Sequence, residues 1–374
     1  MPILEYEKSR RPDTAPPGIG AAAATRARTH IASRCPSGPP GENHIRPKGY
    51  AAMSCPNPDR QTIEIALGLA VRAPSVHNSQ PWRWRIDSEG MHLFADTDRH
   101  LTATDPFQRA LVISCGTTLH HLRVALTALG WATTVDRCPD PGVPEYLAVV
   151  HPTPALPTND DIDLAAAILL RRTDRRRYLC RPIPARYIRA MATRVSALGA
   201  AIRQVPDRML PLLARPMREA VIEHAIDREY QDEIATWSGR VRGTDGVPSQ
   251  NTPPPRPGAE IPLRTFARPT LIDPLDAPDG AQWLLIGTAY DDRAAQLRAG
   301  EATSVLLLTA TSLGLATSLQ TEPLGLPELR REIQTSLLHN CAYPQTMVRV
   351  GWSPRTSAPL ADTPRRSIEE ILEI

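Results

Sequence analysis

The chain has 374 residues, 41% of them hydrophobic and 22% charged, so it can bury a sizeable core and is not disordered throughout. The formal charge of +3 comes from residues 1–52, where eight basic residues oppose four acids, while the remainder holds 35 bases and 36 acids. A nearly neutral remainder gives no support for nucleic-acid binding. No apolar run approaches the roughly 20 residues of a membrane helix, and no signal-peptide pattern opens the chain. We therefore predict a cytoplasmic protein without membrane association.

Residues 1–52 are rich in Pro, Ala and Arg and have no periodicity, which predicts a disordered extension. Met53 is an alternative start of the protein. The six cysteines form neither a C-x-x-C pair nor a metal-finger spacing, so we predict free thiols and no metal site.

The ordered part is predicted to begin with a helix that Asn57 caps and Pro58 opens, and that ends before Pro74. Apolar and alternating patterns then predict two strands, a long buried helix and two further strands. These elements cover residues 82–86, 91–95, 107–129, 132–137 and 146–150.

A second series of elements starts near Asp160. Helices are predicted up to residue 170, over 185–198 and over much of 209–236, followed by a long Pro- and Gly-rich loop over 239–262. Loops of this length inside a compact domain are usually lids or disordered, and we predict a lid here. A strand over 283–288, a long helix over 293–313 and a strand over 346–351 complete the series.

The two long helices resemble each other. Residues 116–130 align with residues 300–314 at an offset of 184, and both segments begin and end with glycine. Convergence of two Leu/Ala-rich helices is one explanation, and duplication is the other. The matching order of elements favours duplication, with a first half over 53–158 and a second half over 159–374.

Several common catalytic signatures are missing from the chain. It has no G-x-S-x-G, H-E-x-x-H or Walker A motif, and its two lysines, Lys8 and Lys48, both precede the predicted folded region. Hydrolase, kinase and Schiff-base mechanisms are therefore disfavoured.

Two segments carry candidate chemistry. Arg171-Arg172-Thr173-Asp174-Arg175-Arg176-Arg177 combines guanidinium groups with a hydroxyl, which suits a phosphate dianion; the alternative is a solvated surface run. Pro74-Ser75-Val76-His77-Asn78-Ser79-Gln80-Pro81-Trp82 offers hydroxyls and amides that suit the edge of a heteroaromatic ring; the alternative is a polar turn after a helix.

Together these segments resemble the nitroreductase family of flavoproteins, and in particular its Acg-like branch. The resemblance runs from about Asp59 to the C-terminus and includes the terminal segment 363–370. It implies an α+β fold in which two tandem halves of one chain mimic the family homodimer. By the same resemblance, FMN would be bound by Arg171, Arg172, Thr173, Arg175, Ser75, Asn78, Gln80, Gln320, Thr321 and Arg365.

The resemblance also implies an activity: hydride transfer from NAD(P)H through FMN to a nitro compound, quinone or other small electron-poor acceptor. No catalytic acid or base is implied, and His77 is a weaker candidate for a proton donor than for a structural histidine. Thr321 stands where the family commonly has a glutamate, with Glu322 beside it. A protein that only stores FMN beneath a closed lid is the alternative, and an adaptor role rests on the N-terminal tail alone. One FMN per chain, bound by a monomer, is expected.

Overall fold

The computed structural model describes residues 57–240, 242–354 and 357–373. The predicted disordered extension lies outside these residues. None of the helices in the described ranges has the length and apolar character needed to cross a membrane.

The first half contains two helices and one sheet. Helix α1 begins at Arg60 rather than next to Asn57, because the Asp59 carboxylate accepts a hydrogen bond of 2.8 Å from the Thr62 amide and so caps the helix. The elements are α1 (Arg60–Ala70), β1 (Trp82–Ile86), β2 (Met91–Ala95), α2 (Arg109–Ala128), β3 (Trp131–Arg137) and β4 (Tyr146–Pro154).

The second half repeats this series and adds to it. Its helices are α3 (Asn159–Leu170), α4 (Ala185–Ser196), α5 (Leu210–Ile226), α6 (Arg228–Trp237), α7 (Arg293–Ser312), α8 (Pro327–Leu338) and α9 (Ile368–Ile371). Its strands are β5 (Ala200–Val205), β6 (Ser238–Arg240), β7 (Val247–Pro248), β8 (Gln282–Thr288), β9 (Ala316–Gln320) and β10 (Tyr343–Gly351).

Two four-stranded antiparallel sheets have the same strand order, β1-β2-β4-β3 in the first half and β5-β8-β10-β9 in the second. In each half the long helix lies between the second and third strands along the chain. The predicted α+β fold with two tandem halves is therefore confirmed.

The long helices α2 and α7 lie side by side at the centre, and the aligned glycines meet there. A Cβ on Gly116 would lie 2.1 Å from the Leu297 carbonyl oxygen, and one on Gly300 would lie 2.1 Å from the Ile113 oxygen. His120 Nδ1 lies 2.8 Å from Oγ of Ser304, again 184 residues away. Glycine at both positions lets the two backbones touch. Because each half makes the same contact to the other, an approximate twofold axis relates the two halves.

The chain after β10 returns to the first half. The Arg366 guanidinium pairs with Asp96 at 3.1 Å, and the Glu373 amide donates to the Trp84 carbonyl at 2.8 Å. Ile371 is buried in the core beneath the first sheet. This return brings Arg365 back towards the segment that follows α1.

Candidate functional site

A cavity of about 300 Å³ lies where the two halves meet. Ser75 and His77 of the first half form part of its wall, and Thr173 and Arg175 of the second half face them across it. Gln320 and Thr321, at the end of β9, complete the predicted residues in the lining. The two motifs that lie about a hundred residues apart in the sequence therefore meet at one cavity.

The segment after α1 has an unusual backbone. His77, Asn78 and Gln80 have φ values of 51°, 55° and 49°, in the left-handed region that residues other than glycine rarely adopt. The Ser75 hydroxyl accepts a hydrogen bond of 2.9 Å from the Gln80 amide and so stabilises this turn. Such conformations are concentrated at functional sites, where surrounding contacts hold them in place.

The arginine segment is attached to the second sheet. Thr173 pairs with Thr317 in a parallel bridge, and the Asp174 amide donates to the Thr317 carbonyl at 2.9 Å. The Asp174 carboxylate pairs with Arg176, not with the arginines on either side of the threonine. Arg176 is thus structural, whereas Arg171 and Arg175 form no ion pair within the described residues.

Four guanidinium groups, two of them from this segment, approach one another with little compensating charge. Arg171 is buried and Arg365 is half-buried, and Nε of each has no hydrogen-bond partner in the described part of the chain. Arg72 and Arg172 both contact Asp362, whose side chain is 71% exposed. Burial and the neighbouring cations lower the pKa of Arg171 to about 10 and that of Arg365 to about 9.

These arginines stay charged at neutral pH, because even the lowered pKa values lie well above 7. Buried cations without counter-charge are costly, and unpaired buried N–H groups add to the cost. A phosphate dianion would supply both the charge and the missing acceptors. The residues present therefore fit a phosphate-bearing ligand whose anionic end lies beside Thr173 and Arg171.

Five predicted ligands do not line the cavity: Arg171, Arg172 and Arg365 of the guanidinium cluster, and the two amide residues Asn78 and Gln80. The Asn78 amide nitrogen donates to the carbonyls of Gly246 and Pro364, and its Oδ1 accepts from Arg365 at 2.8 Å. The Gln80 side chain donates to Thr244 and accepts from the Arg366 amide. Their amides connect the turn to the long loop and to the C-terminal segment.

The other end of the cavity contains the predicted β9 residues. Gln320 is buried and its amide donates to the Ser318 hydroxyl at 3.0 Å, while Thr321 follows directly and lines the cavity. Glu322 is directed elsewhere: His224 Nδ1 lies 3.3 Å from its Oε1. Glu322 therefore does not replace the family glutamate at the position of Thr321.

His77 is held as a hydrogen-bond acceptor. Arg264 Nη1 lies 3.0 Å from His77 Nε2, and a guanidinium can only donate, so Nε2 carries no proton. Burial and the nearby Arg264 and Arg175 lower the pKa of His77 well below its usual value. At neutral pH the ring is neutral, which fits a structural histidine better than a proton donor.

Several residues of the cavity have no counterpart in the two motifs. Phe266 lines it, with the Arg175 guanidinium 4.7 Å from the ring centroid, and the run Pro253–Pro257 forms another part of the wall. The predicted loop also contains short strands, with β6 and β7 pairing in parallel. Arg72, in the guanidinium cluster outside the cavity, was also missed, although it lies two residues before the P-S-V-H-N string.

The chain was compared with known proteins, and no family model matches it. A Mycobacterium tuberculosis H37Rv protein with the provisional name NAD(P)H nitroreductase Rv3131 is 47% identical over 331 residues, which cover 87% of this chain and 95% of that protein. The provisionally named NAD(P)H nitroreductase acg of the same strain is 36% identical over 319 residues, covering 83% and 95%. The chain belongs to the nitroreductase family, in its Acg-like branch.

Two solved structures are also among the proteins similar to this chain. A nitroreductase with bound FMN from Bacteroides fragilis is 14% identical, with a TM-score of 0.36, and covers 55% of this chain and 95% of its own. A protein from Anabaena variabilis with the provisional name nitroreductase is 12% identical, with a TM-score of 0.42, and the match covers 88% of this chain and 99% of that chain.

Proposed function

We propose that this nitroreductase-family protein binds FMN and passes hydride from NAD(P)H to an electron-poor acceptor, either a nitro compound or a quinone. The observation that supports this most directly is the junction of the two motifs at one cavity, beside buried arginines that lack counter-charge. When bound, FMN supplies the hydride chemistry, and the protein positions it and sets its electrostatic surroundings.

The chain's own residues take three roles in this proposal. Arg171, Thr173 and Arg175 hold the phosphate, with Arg365 as a further cation contributed by the C-terminal segment. Ser75 from the first half and Gln320 and Thr321 from β9 border the ring system. Asn78 and Gln80 keep the turn in its left-handed conformation rather than contact the ring through their side-chain amides.

The visible spectrum of the purified protein tests flavin binding directly, and released FMN can be identified by chromatography. Turnover is tested by NADH and NADPH oxidation with nitroaromatic and quinone acceptors. A protein that retains no flavin, and takes up none on reconstitution, would contradict the proposal.

Storage of FMN without turnover is the second candidate, and one observation favours it. The run Pro253–Pro257 lines the cavity, and Arg256 within it donates to the Arg175 carbonyl at 2.6 Å and pairs with Asp273 at 2.9 Å. A lid tied in this way would keep nicotinamide from the flavin. Bound FMN with no NAD(P)H oxidation above free FMN would favour storage, and Arg256→Ala should then release activity.

A further inference from the structure

A second cavity, of about 410 Å³, adjoins the first one. Val221, Thr265 and Phe266 line both cavities, so they form the partition between them. The rest of the wall comes from α5, α6, the segment before β8 and the residue after Thr321, and includes His224, Tyr230, Ile234, Ala235 and Glu322.

Most of this wall belongs to chain that the first half lacks. In the first half a tight turn closed by the Asp87 amide and the Gly90 carbonyl joins β1 to β2. In the second half the corresponding strands, β5 and β8, are joined by 76 intervening residues that include α5 and α6. The repeated fold does not need this insertion, so the cavity that it builds beside the first one calls for a functional explanation.

Glu322 gives this cavity a buried acceptor. Its side chain is 3% exposed, and Oε1 lies 3.3 Å from His224 Nδ1 and 3.5 Å from the Tyr230 hydroxyl. Oε2 has no hydrogen-bond partner among the residues that the structure describes. A buried carboxylate oxygen without a donor is destabilising, and a ligand N–H group would satisfy it.

The remaining surface suits a flat ring. The rings of His224 and Tyr230 stack in parallel with their centroids 3.7 Å apart, and both residues line the cavity. Val221 and Ile234 add aliphatic surface. Arg264 Nε lies 4.0 Å from Glu322 Oε1 and offsets the carboxylate charge, so a neutral donor suits the site better than a second cation.

We propose that the second cavity binds a planar ring that carries a neutral N–H donor, with the donor directed to Glu322. Two sources supply this chemistry: the adenine of the nicotinamide dinucleotide, or an amino-substituted aromatic acceptor. The choice of these two sources rests on the proposed function, whereas binding of a ring at Glu322 does not depend on it. The shared wall at Phe266 would place either ring next to the flavin cavity.

The test is calorimetric titration of the full-length protein with adenosine and, separately, with 4-nitroaniline. 4-Nitrobenzoate serves as a size-matched anion and should bind at least tenfold more weakly than 4-nitroaniline, because its carboxylate meets Glu322. Tighter binding of adenosine assigns the cavity to the reductant, and tighter binding of 4-nitroaniline assigns it to the acceptor.

Two variants locate the binding. Ala235→Phe fills the cavity from its exposed rim and should abolish binding of the preferred ring, while Glu322→Gln should weaken it about tenfold or more. Glu328→Gln, an exposed position in the first turn of α8, is the matched control and should change nothing.

Failure of this inference is separable from failure of the proposed function, because retained flavin is read from the visible spectrum of the same samples. A protein that holds flavin but binds neither ring overturns the inference alone. Ring binding that Ala235→Phe leaves unchanged overturns it as well, since the ring then lies elsewhere.

Discussion

Arg171 is buried and Arg175 is half-buried, and neither guanidinium has a carboxylate partner among the described residues, so both are available to a ligand rather than to the fold. We expect Arg171→Ala combined with Arg175→Ala to weaken FMN binding by about a hundredfold or more. Each charge-assisted bond to a phosphate contributes about 1.5–3 kcal/mol, and two are lost. The dissociation constant is measured by flavin fluorescence.

Arg189→Ala combined with Arg208→Ala removes the same two charges from exposed positions and is the control. It should retain FMN, which separates local contacts from the net charge of the protein. If the folded Arg171/Arg175 variant binds FMN as tightly as this control, the phosphate lies elsewhere.

Three buried histidines with lowered pKa values should make the native protein less stable in acid. Burial, the largest cause, lowers the pKa of His120 to about 3, and that of His77 and His121 well below the ordinary 6.5. Below about pH 6.5 the unfolded chain therefore takes up protons on these rings that the native protein does not. Native stability is fully present above this pH and falls as the pH decreases.

We expect stability to decline between about pH 6.5 and 4.5 by an amount approaching 1.4 kcal/mol per pH unit for each histidine. Urea unfolding of the FMN-free protein at a series of pH values measures this slope. His120→Gln should lower the slope by about one third, since it removes one titrating group. A slope that the substitution leaves unchanged would mean that other groups control acid unfolding.

At the scale of elements, the sequence predicts the helices and strands that have a clear local apolar pattern. The strands at 82–86 and 91–95 and the two long helices follow from apolar periodicity, and the structure places them within two residues. Strand β5 was missed because A-A-I-R-Q-V has little alternation and is largely exposed. Helix α8 was missed although Leu329, Ile333 and Leu337 recur every four residues after a proline.

The residues of the candidate site likewise fall into those that the sequence predicts and those that it does not. The two motifs identify Ser75, Thr173 and Arg175 because their residue types suit the ligand directly. Phe266 and Arg264 lie in the insertion, where no periodicity or motif relates them to the flavin segment. Their positions depend on how the loop folds back over the cavity, which is a tertiary property that local sequence does not encode.

Ion pairs and a hydrogen bond fix the first part of the loop over 239–262. Asp245 pairs with both Arg99 and Arg240, and Asn78 donates to the Gly246 carbonyl. Arg242 lies between these contacts and is exposed, with a glycine after it. Limited trypsin digestion should therefore cut at Arg242 before Arg240, whose guanidinium also lies over Trp237.

If this loop closes over the cavity when FMN is bound, cutting at Arg242 should slow on adding FMN and a substrate analogue. Mass spectrometry of the first fragments identifies the cleavage site, and the time course of their formation gives the cleavage rate. Cutting at Arg208, which is exposed and lines neither cavity, supplies an internal reference that ligand should not alter. Equal rates at Arg242 with and without ligand would count against a lid.

At the scale of the whole molecule, the twofold relation between the halves raises the question of a second site. The offset of 184 places Glu301 at the counterpart of Thr117 and Arg137 at the counterpart of Thr321, which lines the first cavity. In the structure Glu301 is fully buried and pairs with Arg137 at 2.7 Å and with Arg123 at 2.6 Å. A charged pair thus stands where the first site has Thr321 and the Thr117 hydroxyl, which donates to the Pro74 carbonyl at 2.6 Å.

Each of the two ligand-binding motifs also occurs in only one half. The P-S-V-H-N string follows α1, whereas only Ala197, Leu198 and Gly199 separate α4 from β5. The arginine segment precedes α4, whereas Asn57-Pro58-Asp59 precedes α1. Each half lacks the motif that the other retains, so only one pairing across the twofold axis combines both.

We therefore expect one FMN per chain, bound by the monomer. Flavin absorbance divided by protein concentration should approach one in a sample whose mass is measured by light scattering. The Arg171→Ala, Arg175→Ala variant should lose flavin altogether rather than fall to half, because the ion pairs of Glu301 leave no second site to retain it. Two flavins per chain, or flavin bound only by a dimer, would contradict this arrangement, since a duplicated chain already provides both halves of its own site.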